Sequence, residues 1–89
     1  MVTIMLELTV DDLGAWKSRR DALAEVREEY GERDARVYRV ADEPNEVVVL
    51  MEWESLEAAQ AFSESEAFLE GMEEADFVEE SVRVLEPVA

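Results

Sequence analysis

Three features of the chain predict an α+β fold: a ferredoxin-like β-α-β-β-α-β order, with a four-stranded antiparallel sheet and both helices on one face. Residues Val2 to Val10 alternate apolar with polar or mixed positions, an apolar stripe at helical spacing follows and stops at Gly31, and Glu46 to Trp53 is apolar on both parities. The last feature organises the rest. Val47, Val49, Met51 and Trp53 share one side of that strand, Val48 and Leu50 the other, and a polar residue interrupts only at Glu52. A near-continuous apolar run of this length indicates burial on both faces. A chain of 89 residues with about two helices can cover one face of its sheet and has nothing left for the other. A second copy of the same sheet is the simplest cover, so a homodimer packed sheet to sheet is expected.

In the first strand Val2, Ile4, Leu6, Leu8 and Val10 share one face, and Thr3, Met5, Glu7 and Thr9 share the other. Asp11 or Asp12 suits a helix N-cap, with acidic charge at the positive end of the helix dipole. The helix is expected to run to about Tyr30, with Leu13, Trp16, Leu23 and Tyr30 on one stripe and Gly31 as its C′ residue. Arg20 and Arg27 fall inside that stripe. Either they snorkel from its rim over apolar surface, or they reach toward a cavity or a carboxylate. Ala35 to Ala41 forms the second strand, and Asp42-Glu43-Pro44-Asn45 is a tight turn that joins it to the central strand as a hairpin. Ser55 caps the second helix, whose stripe runs through Leu56, Ala59 and Phe62. Ser65 is a second cap, followed by Phe68, Leu69 and Met72, so this helix breaks near Ser63 to Ser65. Phe77 and Val78 lead into a last strand from about Glu80 to Leu85, ended by Pro87. No linker or repeat interrupts the pattern, and residues 1–89 read as a single domain.

The chain is strongly acidic, with 24 Asp plus Glu against 8 Lys plus Arg and a formal net charge of −16. Lys17 is its one lysine. Two readings compete. One is a solvated acidic surface suited to the salt-rich cytoplasm of a halophile, where ionic strength screens self-repulsion. The other is a face directed at a basic partner, as in a nucleic-acid mimic. The acids are spread along the chain and not gathered in a tail, which favours the first. Direct nucleic-acid binding needs a basic patch that this chain cannot easily assemble. Met1 to Val10 lacks a basic leader and no stretch approaches a membrane span. A soluble cytoplasmic protein with no membrane partner is therefore expected.

Several spacings converge on one pattern: Trp16-Lys17-x-x-Arg20-Asp21, then Arg27 and Gly31, then Val37-Tyr38-Arg39. They continue through Asp42-Glu43-Pro44-Asn45-Glu46-Val47-Val48-Val49-Leu50, Glu52-Trp53, Leu56-Glu57-x-Ala59 and Phe62, with Ser65, Leu69 and Met72 beyond. This resembles the small dimeric α/β-barrel proteins, and among them the short antibiotic-biosynthesis-monooxygenase-like or cyclase-like ones. The resemblance covers nearly the whole chain. Two positions depart from it: Arg20 stands where a phenylalanine is usual, and Asp76 precedes Phe77 where glycine is usual. The resemblance implies that two sheets meet to form a dimeric α/β barrel, with a cleft either between each protomer's sheet and helices or within the barrel. It also implies a choice of activities: cofactor-independent oxidation of polycyclic aromatic substrates, haem degradation, ring closure or simple ligand binding. Fold does not choose among these. The leading expectation is a cofactor-independent monooxygenase-like or cyclase-like protein that acts on or binds a small aromatic molecule. The alternative is a non-catalytic dimeric ligand-binding or assembly module.

The residue inventory narrows the chemistry. With no histidine and no cysteine, the chain lacks the commonest general base, the usual haem ligand and the usual zinc ligands. Its acids show no loop-like ligand spacing, so neither a metal nor a cofactor is expected. Glu7, Glu52 and Arg83 remain, at parities that could share the inter-sheet face, joined by Arg39 or Tyr38 according to register. On a functional reading, Glu7 or Glu52 is a carboxylate raised in pKa by burial, able to take a proton from an acidic C–H or phenol. Arg39 or Arg83 then holds the oxyanion, while Trp16, Tyr38 and Trp53 wall the ligand with Arg20 beside them. On a structural reading the same ions are interface pairs that fix the dimer's register, and the two tryptophans are core.

Overall fold

The computed structural model describes residues 1–73 and 77–88, with the backbone alone described where these fall within 71–80. Asp76 and the side chains of Met72 and Phe77 lie outside the described residues. Four strands, β1 (Val2–Val10), β2 (Glu32–Arg39), β3 (Glu46–Trp53) and β4 (Phe77–Leu85), pair antiparallel in the order β2-β3-β1-β4. Helices α1 (Leu13–Ala22) and α2 (Ala24–Tyr30) link β1 to β2; α3 (Leu56–Ser63) and α4 (Glu66–Glu73) link β3 to β4. This is the expected order, with each helical arm divided in two.

The alternation in β1 and the two-sided apolar run in β3 decide the layering. Leu8 lies across from Val47, Leu6 from Val49, Ile4 from Met51 and Val2 from Trp53. Opposed residues of an antiparallel pair share a face, and these eight point toward the helices. There Ile4, Leu8, Val10, Val47, Val49, Met51 and Trp53 are buried with Trp16 of α1 and Phe62 of α3. The opposite face carries Thr3, Met5, Glu7 and Thr9 of β1, Val48, Leu50 and Glu52 of β3, Asp34, Arg36 and Tyr38 of β2, and Ser81 and Arg83 of β4. Among the described residues no element covers this face; Met5, Val48 and Leu50 are half-buried there by their flanking side chains alone.

Caps fall where small polar residues stand. Asp12 accepts from the Ala15 N–H at 3.0 Å, Ser55 from Ala58 at 3.0 Å and Ser65 from Phe68 at 3.2 Å. The Ser65 cap accounts for the break between α3 and α4 that the sequence indicates. The break at Leu23 is a different matter, since an uninterrupted helix to Tyr30 is expected from the apolar stripe. The Arg27 guanidinium donates to the Arg20 carbonyl at 2.7 Å, and the Leu23 N–H closes on that same carbonyl at 3.1 Å. A tightened last turn and a side-chain donor together satisfy the carbonyl that a continuing helix would have offered to Ala24.

Strand β2 also departs from expectation, beginning at Glu32 instead of Ala35 and ending at Arg39 instead of Ala41. A register shift between Glu32 and Asp34 inserts Arg33 as an extra residue, which breaks the alternation in a run of three charges. At its other end Val40 already belongs to the turn, its carbonyl accepting from the Glu43 N–H at 3.0 Å. Strand β4 starts at Phe77, three residues before the expected Glu80.

Gly31 sits between α2 and β2 at φ 131°, a region that side-chain-bearing residues avoid. A Cβ there would lie 3.1 Å from the Ala58 Cβ of α3, so the glycine also sets how closely α3 approaches. Gly31→Ala is expected to lower stability by about 1–3 kcal/mol, measured by urea denaturation, because it combines backbone strain with a displaced helix.

Candidate functional site

The helix-side site grows from the end of β3. Trp53 is 2% exposed, and its Nε1–H is buried without a hydrogen-bond partner among the described residues. Buried indole donors ordinarily find an acceptor. Around it stands an aromatic cluster with Phe62 at the hub: Trp53 at 5.6 Å between ring centroids, Phe68 at 5.3 Å and Tyr30 at 5.8 Å. These separations are ordinary for aromatic contact, and the Tyr30 and Phe68 rings meet Phe62 edge to face. Each ring comes from a different element, so β3, α2, α3 and α4 converge on this point.

Directly across the β2–β3 ladder from Trp53 lies Glu32. Its carboxylate receives the Arg27 Nε at 3.2 Å and the Arg20 Nη2 at 3.5 Å, and all three side chains are nearly shielded from water. The two arginines of the helical stripe therefore reach a carboxylate and do not snorkel. Burial, and then the neighbouring Arg27 charge, push the Arg20 pKa down to about 10, so it keeps its proton at neutral pH. Glu32 was not legible as part of a site. The available signal was indirect: two arginines on a buried stripe require an anion, and Glu32 is the acid that follows the helix-ending Gly31.

The register divides the sequence-derived candidates between two faces. Trp16, Arg20 and Trp53 are on the helix side, with Trp16 in the core. Glu7, Glu52, Tyr38 and Arg83 are together on the open face, where Glu7 neighbours Val48 and Ser81, Arg83 neighbours Met5, and Tyr38 neighbours Val48. Arg39 lies across from Val47 and so turns to the helix side at the exposed edge, apart from both groups. One pocket that combines Glu7 or Glu52 with Trp16 and Trp53 is thus excluded within a protomer, because a one-residue step along a strand reverses the face. Glu7 and Glu52 are exposed and not buried. On β2 the neighbouring Tyr38 side chain, and then the Asp34 carboxylate at 3.6 Å, hold the Arg36 pKa above the ordinary arginine value.

The open face carries a depression of about 210 Å³, lined by Glu7, Thr9, Val40, Glu46, Val48 and Ser81. It is polar at its edges and apolar at Val48, continuous with the strip formed by Met5 and Leu50. Among the described residues there is no group of three or more potential metal ligands, and no helix long and apolar enough to cross a membrane.

Comparison with known proteins places this geometry in context. Residues 1–74 match the model of the antibiotic biosynthesis monooxygenase family. Among solved structures, SnoaB from Streptomyces nogalater, described as a cofactor-independent oxygenase, superposes with a TM-score of 0.84 at 18% identity, over 99% of this chain and 93% of its own. Rv0793 from Mycobacterium tuberculosis gives 0.76 at 22% identity over 99% and 95%. PA3566 from Pseudomonas aeruginosa gives 0.78 at 16% identity over 99% and 94%. At these identities the likeness is one of fold. None of the curated proteins compared with the chain matches it.

Proposed function

Since the chain belongs to the antibiotic biosynthesis monooxygenase family, we propose that it binds a small aromatic molecule between its sheet and its helices and oxidises it without a cofactor. The observation that carries this reading is the buried Trp53 Nε1–H, which has no acceptor among the described residues, set among the rings of Phe62, Tyr30 and Phe68. A phenol or quinone oxygen supplies the missing acceptor, and the rings supply a surface on which a flat molecule stacks. A substrate that has given its proton to solvent water enters as the enolate or phenolate, with charge accumulated on its oxygen, and a preoriented donor in a dry site stabilises that charge. The electron-rich anion then reacts with dioxygen. For a ring methylene the balance is R₂CH₂ + O₂ → R₂C=O + H₂O, with one oxygen atom entering the product and the other leaving as water.

The protein acts as a homodimer in this reading, with open face on open face. The half-buried strip of Met5, Val48 and Leu50 supports it, ringed as it is by Glu7, Glu52, Arg36 and Arg83. These ions then set the register of the two sheets and take no part in proton transfer.

Tryptophan fluorescence titrated with juglone, and oxygen uptake with anthrone, test the proposal. Binding is expected, and Trp53→Phe should weaken it about tenfold by removing the donor while keeping a ring. Binding of juglone without any oxygen uptake over the uncatalysed rate would leave the non-catalytic ligand-binding module as the correct reading. Absence of both would remove the helix-side site.

A further inference from the structure

Two guanidiniums and one carboxylate lie under the joint of α1 and α2, with Arg20, Arg27 and Glu32 at 11%, 7% and 10% side-chain exposure. Their formal charges leave one positive charge in excess. The exposed pair beside them, Lys17 with Asp21 at 2.8 Å, is neutral in itself and does not alter the sum. In a chain of net charge −16 this is a local reversal of sign in a nearly dry place.

The two arginines are engaged unequally. Arg27 gives its Nε to Glu32 and its Nη1 to the Arg20 carbonyl, at 3.2 and 2.7 Å, and is committed to structure. Among the described residues, the only side-chain hydrogen bond of the Arg20 guanidinium is the one to Glu32 at 3.5 Å, the outer limit of such a bond. A guanidinium carries five donors in a planar fork, and among the described residues none of the other Arg20 nitrogens is buried without a partner, so that edge of the fork stays open to solvent. Because Glu32 is the cross-strand neighbour of Trp53, this fork and the unpartnered indole N–H occupy the same end of the sheet.

We infer that Arg20 is an anion-binding residue, and that the aromatic molecule carries a carboxylate which the unused edge of the Arg20 guanidinium receives while a ring oxygen accepts from Trp53 Nε1. The inference deepens the function proposed above and rests on it. A planar monoanion fits the fork in two parallel hydrogen bonds and cancels the single excess charge. A dianionic phosphate would overshoot that charge inside an already negative field. Salt has an unusual sign here. Repulsion between an anionic ligand and the distant acidic surface is screened within a Debye length of about 8 Å at physiological ionic strength and about 3 Å at 1 M, whereas contact with a nearly buried guanidinium is screened far less. The carboxylate ligand therefore binds more tightly as salt rises, the reverse of an exposed ion pair.

The test compares 6-hydroxy-2-naphthoate with its neutral amide, 6-hydroxy-2-naphthamide, by tryptophan fluorescence in about 0.1 M and about 1 M KCl. The wild-type protein is expected to bind the acid about tenfold more tightly than the amide, with a gap that widens at the higher salt. Arg20→Met is expected to abolish the preference. Equal affinity for the two probes in the wild type overturns the inference, as does a preference that survives in Arg20→Met. Should that variant fail to fold, the wild-type comparison decides by itself. Binding of the amide without preference defeats this inference alone, while binding of neither probe defeats the helix-side site and this inference with it.

Discussion

Val48→Asp is expected to turn a dimer into separate protomers, so that sedimentation in molar KCl shows a 10.2 kDa species where the wild type shows a pair. Val48 stands at the middle of the uncovered face, next to Glu7 on β1 and Tyr38 on β2. Within one protomer the new carboxylate stays in contact with water and the sheet tolerates it. In a face-to-face pair it is buried twice, close to Glu7, with no cation across from it on either neighbouring strand. An uncompensated buried charge costs about 3–5 kcal/mol, which weakens association by about two to four orders of magnitude. High salt separates this effect from simple self-repulsion, because the net charge of −16 is then screened in both proteins. A Val48→Asp protein that still sediments as a pair, or a wild type that remains a folded single chain, would falsify the proposed interface.

Glu32→Gln has the second large effect, this time on stability. It removes the one carboxylate between Arg20 and Arg27 and leaves two like charges facing each other in a site about 90% shielded from water. Loss of one partner from a buried ion cluster costs about 3–5 kcal/mol, against a total stability of about 5–15 kcal/mol for a small domain. The variant should stand near the edge of unfolding at neutral pH, with its urea midpoint lowered accordingly. The exposed pair Lys17–Asp21 provides the contrast: Asp21→Asn should change stability by no more than about 0.5 kcal/mol. If Glu32→Gln behaved like Asp21→Asn, the cluster would be incidental.

What the chain discloses about its own fold depends on how local the cause is. The bounds of β1 and β3 follow from side-chain alternation, which the pleat imposes residue by residue, and both were legible from end to end. The break after Ser63 was legible too, because Ser65 carries its own capping hydroxyl. The break at Leu23 was not: its cause is a guanidinium arriving from Arg27 onto a backbone carbonyl, and nothing in the composition around Leu23 records that. The start of β2 was hidden by the register shift at Arg33, which scrambles the period that marks a strand. For the site, Trp53, Arg20 and Arg27 stood out by residue type and spacing. Which face each of Tyr38 and Arg39 takes depended on pairing register, and the lack of an acceptor at Trp53 Nε1 among the described residues is a property of packing alone.

Strand β2 reads Glu-Arg-Asp-Ala-Arg-Val-Tyr-Arg and lies at the rim of the sheet, with charges of both signs at five of its eight positions. A rim strand with open backbone groups invites another chain to add on, and charged side chains make such an addition unfavourable. In the proposed homodimer one greasy face is hidden against its twin, and this charged border lets such a protein pair once and then stop. Fibrous growth along that border is disfavoured by the same charges, of which Arg33 also ties the strand to Glu28 and Glu54.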